Sequence, residues 1–258
     1  MPRPGSAQRI VIVGGGVAGL EVASTLGRRW RGHRGAPSIT LVDRGSAHVW
    51  KPMLHTIAAG TRDIAQQQTA YLAQAREAGF AYRPGELAGL DRGAREIRLA
   101  AQHASDGRLL VPASTLGYDV LVLATGSQAN DFGTPGVAEH CWRIDSRREA
   151  DAFNRELRIR LLQCLTQDVP LHVAIVGGGA TGVELAAELV QLVESAIAYG
   201  VAGTAERITI TLVEAGPRLL AGFPEDISSA TRERLESIGI RVLTGAQVSA
   251  AVIPPRVS

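Results

Sequence analysis

The stretch RIVIVGGGVAGLEVASTL, residues 9–26, joins an apolar run of strand length to three glycines and a helical pattern, and it returns at residues 172–189 as HVAIVGGGATGVELAAEL. Ile10 to Val13 and Val173 to Val176 are too short for helices and suit buried parallel strands. Beyond the glycines, Val17, Leu20, Ala23 and Leu26 fall at helical spacing, as do Val183, Ala186, Leu189 and Val193. Each copy therefore reads as strand, turn, helix. In that setting Gly14 and Gly177 allow the tight turn, Gly16 and Gly179 let a pyrophosphate approach the backbone, and Gly19 and Gly182 let helix and strand pack closely. Gly15 and Gly178 complete the loops, and Val17, Ala18, Ala180 and Thr181 open the helices, whose first N–H groups face the phosphates. One such loop is weak evidence for a dinucleotide site; two in the same context are much stronger.

Each copy runs on to a second strand that ends in an acid. SITLVD places Asp43 there, and ITITLVE places Glu214, where a carboxylate can accept hydrogen bonds from a ribose 2′-hydroxyl. A carboxylate at 214 also favours NADH over NADPH, because it would repel a 2′-phosphate, although Arg218 stands nearby in the sequence.

The composition narrows the classes further. The 258 residues suffice for one large or two ordinary domains, and 45% hydrophobic content suits a folded globule. The 27 basic and 25 acidic side chains are interspersed, with a net charge of +2 and no basic block, which gives no case for a nucleic-acid partner. Cys141 and Cys164 are too far apart for a CxxC site and are expected to be buried, inert thiols; the histidines form no metal-ligand spacing. MPRPGSAQR is too polar for a signal peptide, and no stretch approaches the roughly 18 apolar residues of a membrane span, so a soluble or peripheral chain is expected.

Between the repeats the pattern predicts a helix near Thr69 to Ala78, a hairpin in AGLDRGAREIRLAA and a strand in YDVLVLATG. NDFGTPG, residues 130–136, has the glycine and proline of a linker. Ser146 to Glu149 reads as a capping box, opening a helix with Ala150, Phe153, Leu157, Leu161 and Leu165 on one face, and Leu161 and Leu162 are expected at the domain junction. The organisation expected is α/β, with two Rossmann-like domains: residues 8–130, a linker and boundary helix over 131–170, and residues 171–258.

Two dinucleotide folds in one chain resemble the two-domain flavoprotein reductases, whose first domain holds FAD and whose second holds NAD(P)H. ATGS, residues 124–127, is similar to the motif that closes their first domain near the flavin. HVWKPMLHTIAAG at 48–60 and GSQANDFGTPGVAEHCWRIDS at 126–146 resemble segments of the type II NADH dehydrogenases, the single-subunit NADH:quinone oxidoreductases. VGGGATGVELAAEL and LVEAGPRLL fit that family too, and the likeness extends over residues 8–248.

The resemblance implies FAD as cofactor, NADH as substrate and a quinone as acceptor. Disulfide reductases carry a cysteine pair just after the position of LVDR, and this chain has none there. The segment at 48–60 would instead wrap the flavin, with Lys51 and Pro52 near its rings, and Leu87, Thr125 and Gly126 would add contacts. Glu184 matches a glutamate that in the family lies near nicotinamide and flavin, whereas His48 and His55 are expected to pack or to face solvent. A sulfide:quinone type of enzyme and a non-catalytic NADH-binding fragment are the alternatives.

Family members continue through a second FAD-contacting motif, quinone-site residues and an amphipathic membrane anchor. The chain ending at Ser258 is accordingly expected to be a truncated product or a fragment that pairs with another chain, its second domain and the return segment of its first being incomplete. Pro254 and Pro255 are expected to break the strand begun at Ile240. Peripheral attachment to the cytoplasmic face of the inner membrane is implied for the family, and a homodimer is left open.

Overall fold

A strand of five residues, β1 (Arg9–Val13), opens a computed structural model that describes residues 7–48, 50–61, 69–104, 106–167, 169–198 and 204–252. From β1 the chain runs through α1 (Val17–Trp30), β2 (Ser38–Asp43), β3 (Ala47–His48), a 3₁₀ turn (Lys51–Met53) and α2 (Leu54–Ala59). It continues through β4 (Thr69–Ala70), α3 (Tyr71–Ala78), β5 (Ala81–Pro84), β6 (Glu86–Asp91), β7 (Glu96–Ala100), β8 (Gln102–His103), β9 (Leu109–Val111), β10 (Ser114–Gly117) and β11 (Val120–Leu123). Then follow α4 (Val137–His140), α5 (Arg147–Gln167), β12 (Leu171–Val176), α6 (Ala180–Ala198), α7 (Thr204–Arg207), β13 (Ile208–Glu214), α8 (Glu225–Ser237) and β14 (Arg241–Thr244).

The contacts divide the chain into two units, one of residues 1–51 and 65–127, the other of residues 52–64 and 128–258. In the first, a parallel sheet has the order β11-β1-β2-β5. Its strands are apolar on both sides because both faces are covered. Ile12 and Leu41 meet Leu20 and Ala23 of α1 and Tyr71, Ala75 and Ala78 of α3. Val11, Val13 and Val42 point the other way, onto Ile97, Leu99 and Tyr118. Ile97 and Leu99 lie on β7 of the antiparallel sheet β10-β7-β6, whose β6–β7 pair is the expected hairpin. Strand order reverses between β1 and β11, and the register Val13↔Leu123 sets Gly14 beside Ala124 at the carboxyl ends, where open α/β sheets bind ligands.

The second unit repeats the plan with β12-β13-β14, all parallel. Its core includes Ile175, Leu185, Ala186, Leu189, Ile210, Leu212, Leu235 and Val242. Among the described residues β12 has no strand on its outer side. The third strand begins at Arg241, one residue later than Ile240, because the Ile240 N–H is taken by the Leu235 carbonyl at the end of α8. Pro254 and Pro255 lie outside the described residues.

Two local expectations change. Helix α3 starts at Tyr71 rather than Thr69, since residues 69 and 70 pair with β3 and the Tyr71 N–H bonds the Ser46 carbonyl. Along α5, Ala150, Leu157, Leu161 and Cys164 are buried, whereas Leu162 is 60% exposed. Leu161 instead faces an apolar crevice of the second unit that Leu157, Leu171, Leu189 and Ile210 also line. Half of the capping box forms: the Ser146 hydroxyl accepts from the Glu149 N–H at 3.3 Å, but the Glu149 carboxylate accepts from that same hydroxyl at 2.6 Å instead of from the Ser146 N–H. Of the two thiols Cys164 is buried and Cys141 is exposed, which corrects the expectation for Cys141.

Candidate dinucleotide sites

The two glycine loops share their backbone turn, their tie to the neighbouring strand and their tight helix contact. Gly14 and Gly177 take φ of +102° and +111°, left-handed values that favour glycine. Their N–H groups bond the carbonyls of Val42 and Val213, each at 2.8 Å, which ties the loop to the end of the neighbouring strand. A Cβ on Gly19 would fall on the Gly14 carbonyl oxygen, and one on Gly182 would fall on that of Gly177, so helix and turn are in close contact. Gly16 and Gly179 are exposed, and a Cβ there would meet no atom within 4 Å.

Helices α1 and α6 begin just beyond, with first bonds from Leu20 N–H to Gly16 and from Val183 N–H to Gly179, each at 3.0 Å. The N–H groups of Val17, Ala18 and Gly19, and of Ala180, Thr181 and Gly182, thus have no acceptor within their helices. Val17, Ala18, Ala180 and Thr181 are all exposed. An exposed helix N-terminus with a bare glycine in front suits a pyrophosphate, and the residues at both loops fit a dinucleotide.

Asp43 and Glu214 do more than end their strands. Asp43 accepts from the N–H groups of Gly15 at 2.6 Å and Gly45 at 2.7 Å, one on each oxygen. Glu214 accepts from Gly178 and Gly216, each at 2.6 Å, again one per oxygen. A carboxylate oxygen has about two acceptor sites. Each acid can therefore hold its loop and still accept from a ribose hydroxyl. Arg218 donates to the carbonyls of Phe223 and Ala221, each at 2.8 Å, and so serves its own loop.

The middle glycines are required for a reason that the sequence pattern did not disclose. A Cβ on Gly15 would overlap the Tyr71 ring, and one on Gly178 would crowd the side chains of Leu219 and Glu214. The Gly15 carbonyl accepts the Tyr71 hydroxyl at 2.8 Å and contacts His48 Nδ1 at 2.9 Å. In the second unit the Gly178 carbonyl instead accepts the backbone N–H of Leu220 at 2.8 Å. Burial, with the Asp43 charge adding to it, pushes the Tyr71 hydroxyl well above the usual phenol range, so it remains a donor. Tyr82 shifts upward for the same two reasons; it stacks on Tyr71 at 5.1 Å and donates to the Gly45 carbonyl at 2.6 Å.

Thr125 and Gly126 are exposed beyond β11, next to Ala124 and hence to the first glycine loop. The Lys51 ammonium donates to the Ser127 carbonyl at 2.6 Å, tying the segment after β3 to that same stretch. Leu87, on β6, is partly buried against the Val11, Val13 and Val42 cluster. Glu184, half exposed on the second turn of α6, lies 3.1 Å from Nδ1 of His55, which is largely buried. Neither histidine contact was expected. Their partners lie 33 and 129 residues away, and no local pattern signals such a pairing. Among the described residues no group of His, Cys, Asp and Glu could hold a metal, and no helix is long and apolar enough to cross a membrane.

Comparison with known proteins agrees with this geometry. Residues 8–256 match the family model described as pyridine nucleotide-disulphide oxidoreductase. A type II NADH:quinone oxidoreductase of Haemophilus influenzae is 37% identical over 95% of this chain and 59% of its own length. Among solved structures, NDH2 from Plasmodium falciparum in complex with NADH shares the fold at a TM-score of 0.81, with 23% identity, over 96% of this chain and 50% of that one. The sulfide:quinone oxidoreductase of Aquifex aeolicus shares it at 0.72, with 18% identity, over 95% of this chain and 53% of that one. The chain spans about half the length of such relatives. With two glycine loops of this geometry and a family match over nearly its whole length, the chain belongs to the pyridine nucleotide-disulphide oxidoreductase family.

Proposed function

We propose that this chain is the dinucleotide-binding part of an FAD-dependent NADH:quinone oxidoreductase of the type II NADH dehydrogenase class. The observation that carries the reading is the pair of equivalent loops, each with exposed helix N–H groups and an acid that keeps ribose-accepting capacity. The family membership and the Haemophilus relative support the choice of FAD for the first loop and NADH for the second. In the first unit, Gly14 to Gly19 and Asp43 would hold the pyrophosphate and ribose of FAD, with Lys51, Leu87, Thr125 and Gly126 completing its site. In the second, Gly177 to Gly182 and Glu214 would hold NADH. Arg218 donates to two carbonyls of its own loop, and the Glu214 carboxylate would repel a 2′-phosphate, which favours NADH over NADPH.

FAD held by the first loop would supply a two-electron carrier between NADH and a quinone. The balance is NADH, a proton and a quinone giving NAD⁺ and a quinol. The residues of this chain position the two dinucleotides and exclude water, and little acid–base chemistry is asked of them. A disulfide relay has no footing here: residues 44–60 contain no cysteine, and the buried Cys164 and exposed Cys141 are both free. That also weighs against a sulfide:quinone chemistry, which uses cysteines near the flavin. Peripheral attachment to the cytoplasmic face of the inner membrane belongs to the same proposal, since a lipid-soluble quinone has to be reached there.

The test is anaerobic NADH added to the FAD-reconstituted chain, followed by a water-soluble quinone. Bleaching of the flavin and its return on adding quinone are the expected results. A chain that binds NADH but neither retains FAD nor passes electrons would be the non-catalytic module instead.

A further inference from the structure

We infer that His55 is the positioning residue for Glu184, fixing its carboxylate through Nδ1 at the start of the helix that follows the second glycine loop. The inference rests on the NADH site proposed above and adds to it a residue outside both loops.

The mount of His55 is rigid. Helix α2 lies against α5 and α6 in the second unit, with Leu54, Thr56, Ile57, Ala58 and Ala59 all buried. The Asn154 amide donates to the Ala58 carbonyl at 3.0 Å, and the Thr61 hydroxyl donates to the carboxylate of Glu188, one turn beyond Glu184 on α6. The Thr56 hydroxyl donates to the Met53 carbonyl at 2.8 Å, and Gly60 closes the helix in the left-handed conformation. These contacts hold α2 without any help from His55. The imidazole is 12% exposed and its 3.1 Å contact is with Glu184 Oε2.

Glu184 is the more exposed member of the pair. Its side chain is 50% exposed, and among the described residues its ion-pair contact is with His55. A long acidic side chain at the surface samples several rotamers, and a contact with a fixed, largely buried ring selects one. The constraint therefore runs from the ring to the carboxylate. To donate from Nδ1 while neutral, the ring has to be the Nδ1–H tautomer, whereas a free imidazole in water favours Nε2–H. A hydrogen bond at one ring nitrogen sets which nitrogen carries the proton. That preference gives a signature a merely packed histidine would lack.

Two measurements on the 258-residue chain test this. Long-range ¹H–¹⁵N spectra resolve the ring tautomers of its six histidines, with His55→Asn identifying the His55 signals. We expect Nδ1–H for neutral His55 and a change to Nε2–H in Glu184→Ala; the same tautomer in both would overturn the pairing. This readout needs no cofactor, so it decides the pairing even if the chain proves not to reduce flavin, a result that would count against the proposed function alone.

The second measurement is the rate of flavin reduction by NADH. His55→Leu should slow it roughly tenfold, the effect of about one charge-assisted hydrogen bond, with NADH affinity changed less than about twofold. His55→Asn, whose amide nitrogen can replace Nδ1, should restore most of the rate. In the Glu184→Ala background His55→Leu should add nothing. Equal loss in the Leu and Asn variants, or losses that multiply with Glu184→Ala, would show that His55 does not act through Glu184.

Discussion

The Gly178 N–H donates to the Glu214 carboxylate at 2.6 Å, and Gly15 makes the same bond to Asp43 in the first unit. An acid at this strand end is therefore part of the loop before any ribose arrives. Glu214→Ala leaves the N–H groups of Gly178 and Gly216 without their acceptor, which should cost about 1–3 kcal/mol of unfolding free energy as well as NADH affinity. Glu214→Gln keeps one oxygen and removes the charge, so it should melt closer to wild type and bind NADPH better relative to NADH. Urea unfolding and nucleotide titrations on both variants check this; an Ala variant as stable as wild type would remove the acid from the architecture of the loop.

Glycines within one loop should separate binding from folding. At Gly179 a Cβ meets nothing within 4 Å, so Gly179→Ala should change stability by less than about 1 kcal/mol, within the range of a helix-cap substitution, and still weaken NADH binding. At Gly182 the Cβ would fall on the Gly177 carbonyl oxygen, and Gly182→Ala should destabilise by about 1–3 kcal/mol through overpacking. Thermal melts with and without NADH measure both effects. Equal melting losses at the two positions would contradict the division of labour.

Tyr71 links loop geometry to alkaline stability. Its hydroxyl ionises above the usual phenol range when folded, chiefly because it is buried and secondly because of Asp43. An unfolded tyrosine ionises near pH 10, so the unfolded chain carries fewer protons than the folded one above that pH. The stability from this group is accordingly present below about pH 10 and is lost as pH rises through the folded value. Wild type should lose unfolding free energy more steeply than Tyr71→Phe above about pH 10, with Tyr82 leaving a residual slope in the variant. At neutral pH Tyr71→Phe should cost about 1 kcal/mol, the lost bond to the Gly15 carbonyl. Denaturant melts across pH 8 to about pH 11 test this; parallel pH dependences in the two proteins would refute the assignment.

The parts of this site legible in the sequence are those set by contacts of short range. Gly14, Gly16 and Gly19, with Gly177, Gly179 and Gly182, are required by a turn, a bare backbone and a helix against its own strand, and each requirement repeats at a fixed spacing. Asp43 and Glu214 are legible as the acids that end the second apolar strand of each copy. Tyr71 and His48 are not, because the surface they share, the Gly15 carbonyl, exists only once residues 56 and 33 positions apart are brought together. The same distance hid the pairing of His55 with Glu184. Helical periodicity puts Leu161 on the inner face of α5, where it is buried, whereas Leu162, expected beside it at the junction, is exposed.

The central claim is that the two loops hold different dinucleotides and that electrons pass from the second to the first. The most direct measurement is the visible absorption spectrum of the FAD-reconstituted chain before and after anaerobic NADH, in wild type, Gly16→Val and Gly179→Val. A Cβ at either position meets no atom within 4 Å, so both chains should fold. Wild type should be yellow and bleach, Gly16→Val should be colourless, and Gly179→Val should stay yellow without bleaching. Flavin lost from Gly179→Val and retained by Gly16→Val, or bleaching undiminished in Gly179→Val, would contradict the account.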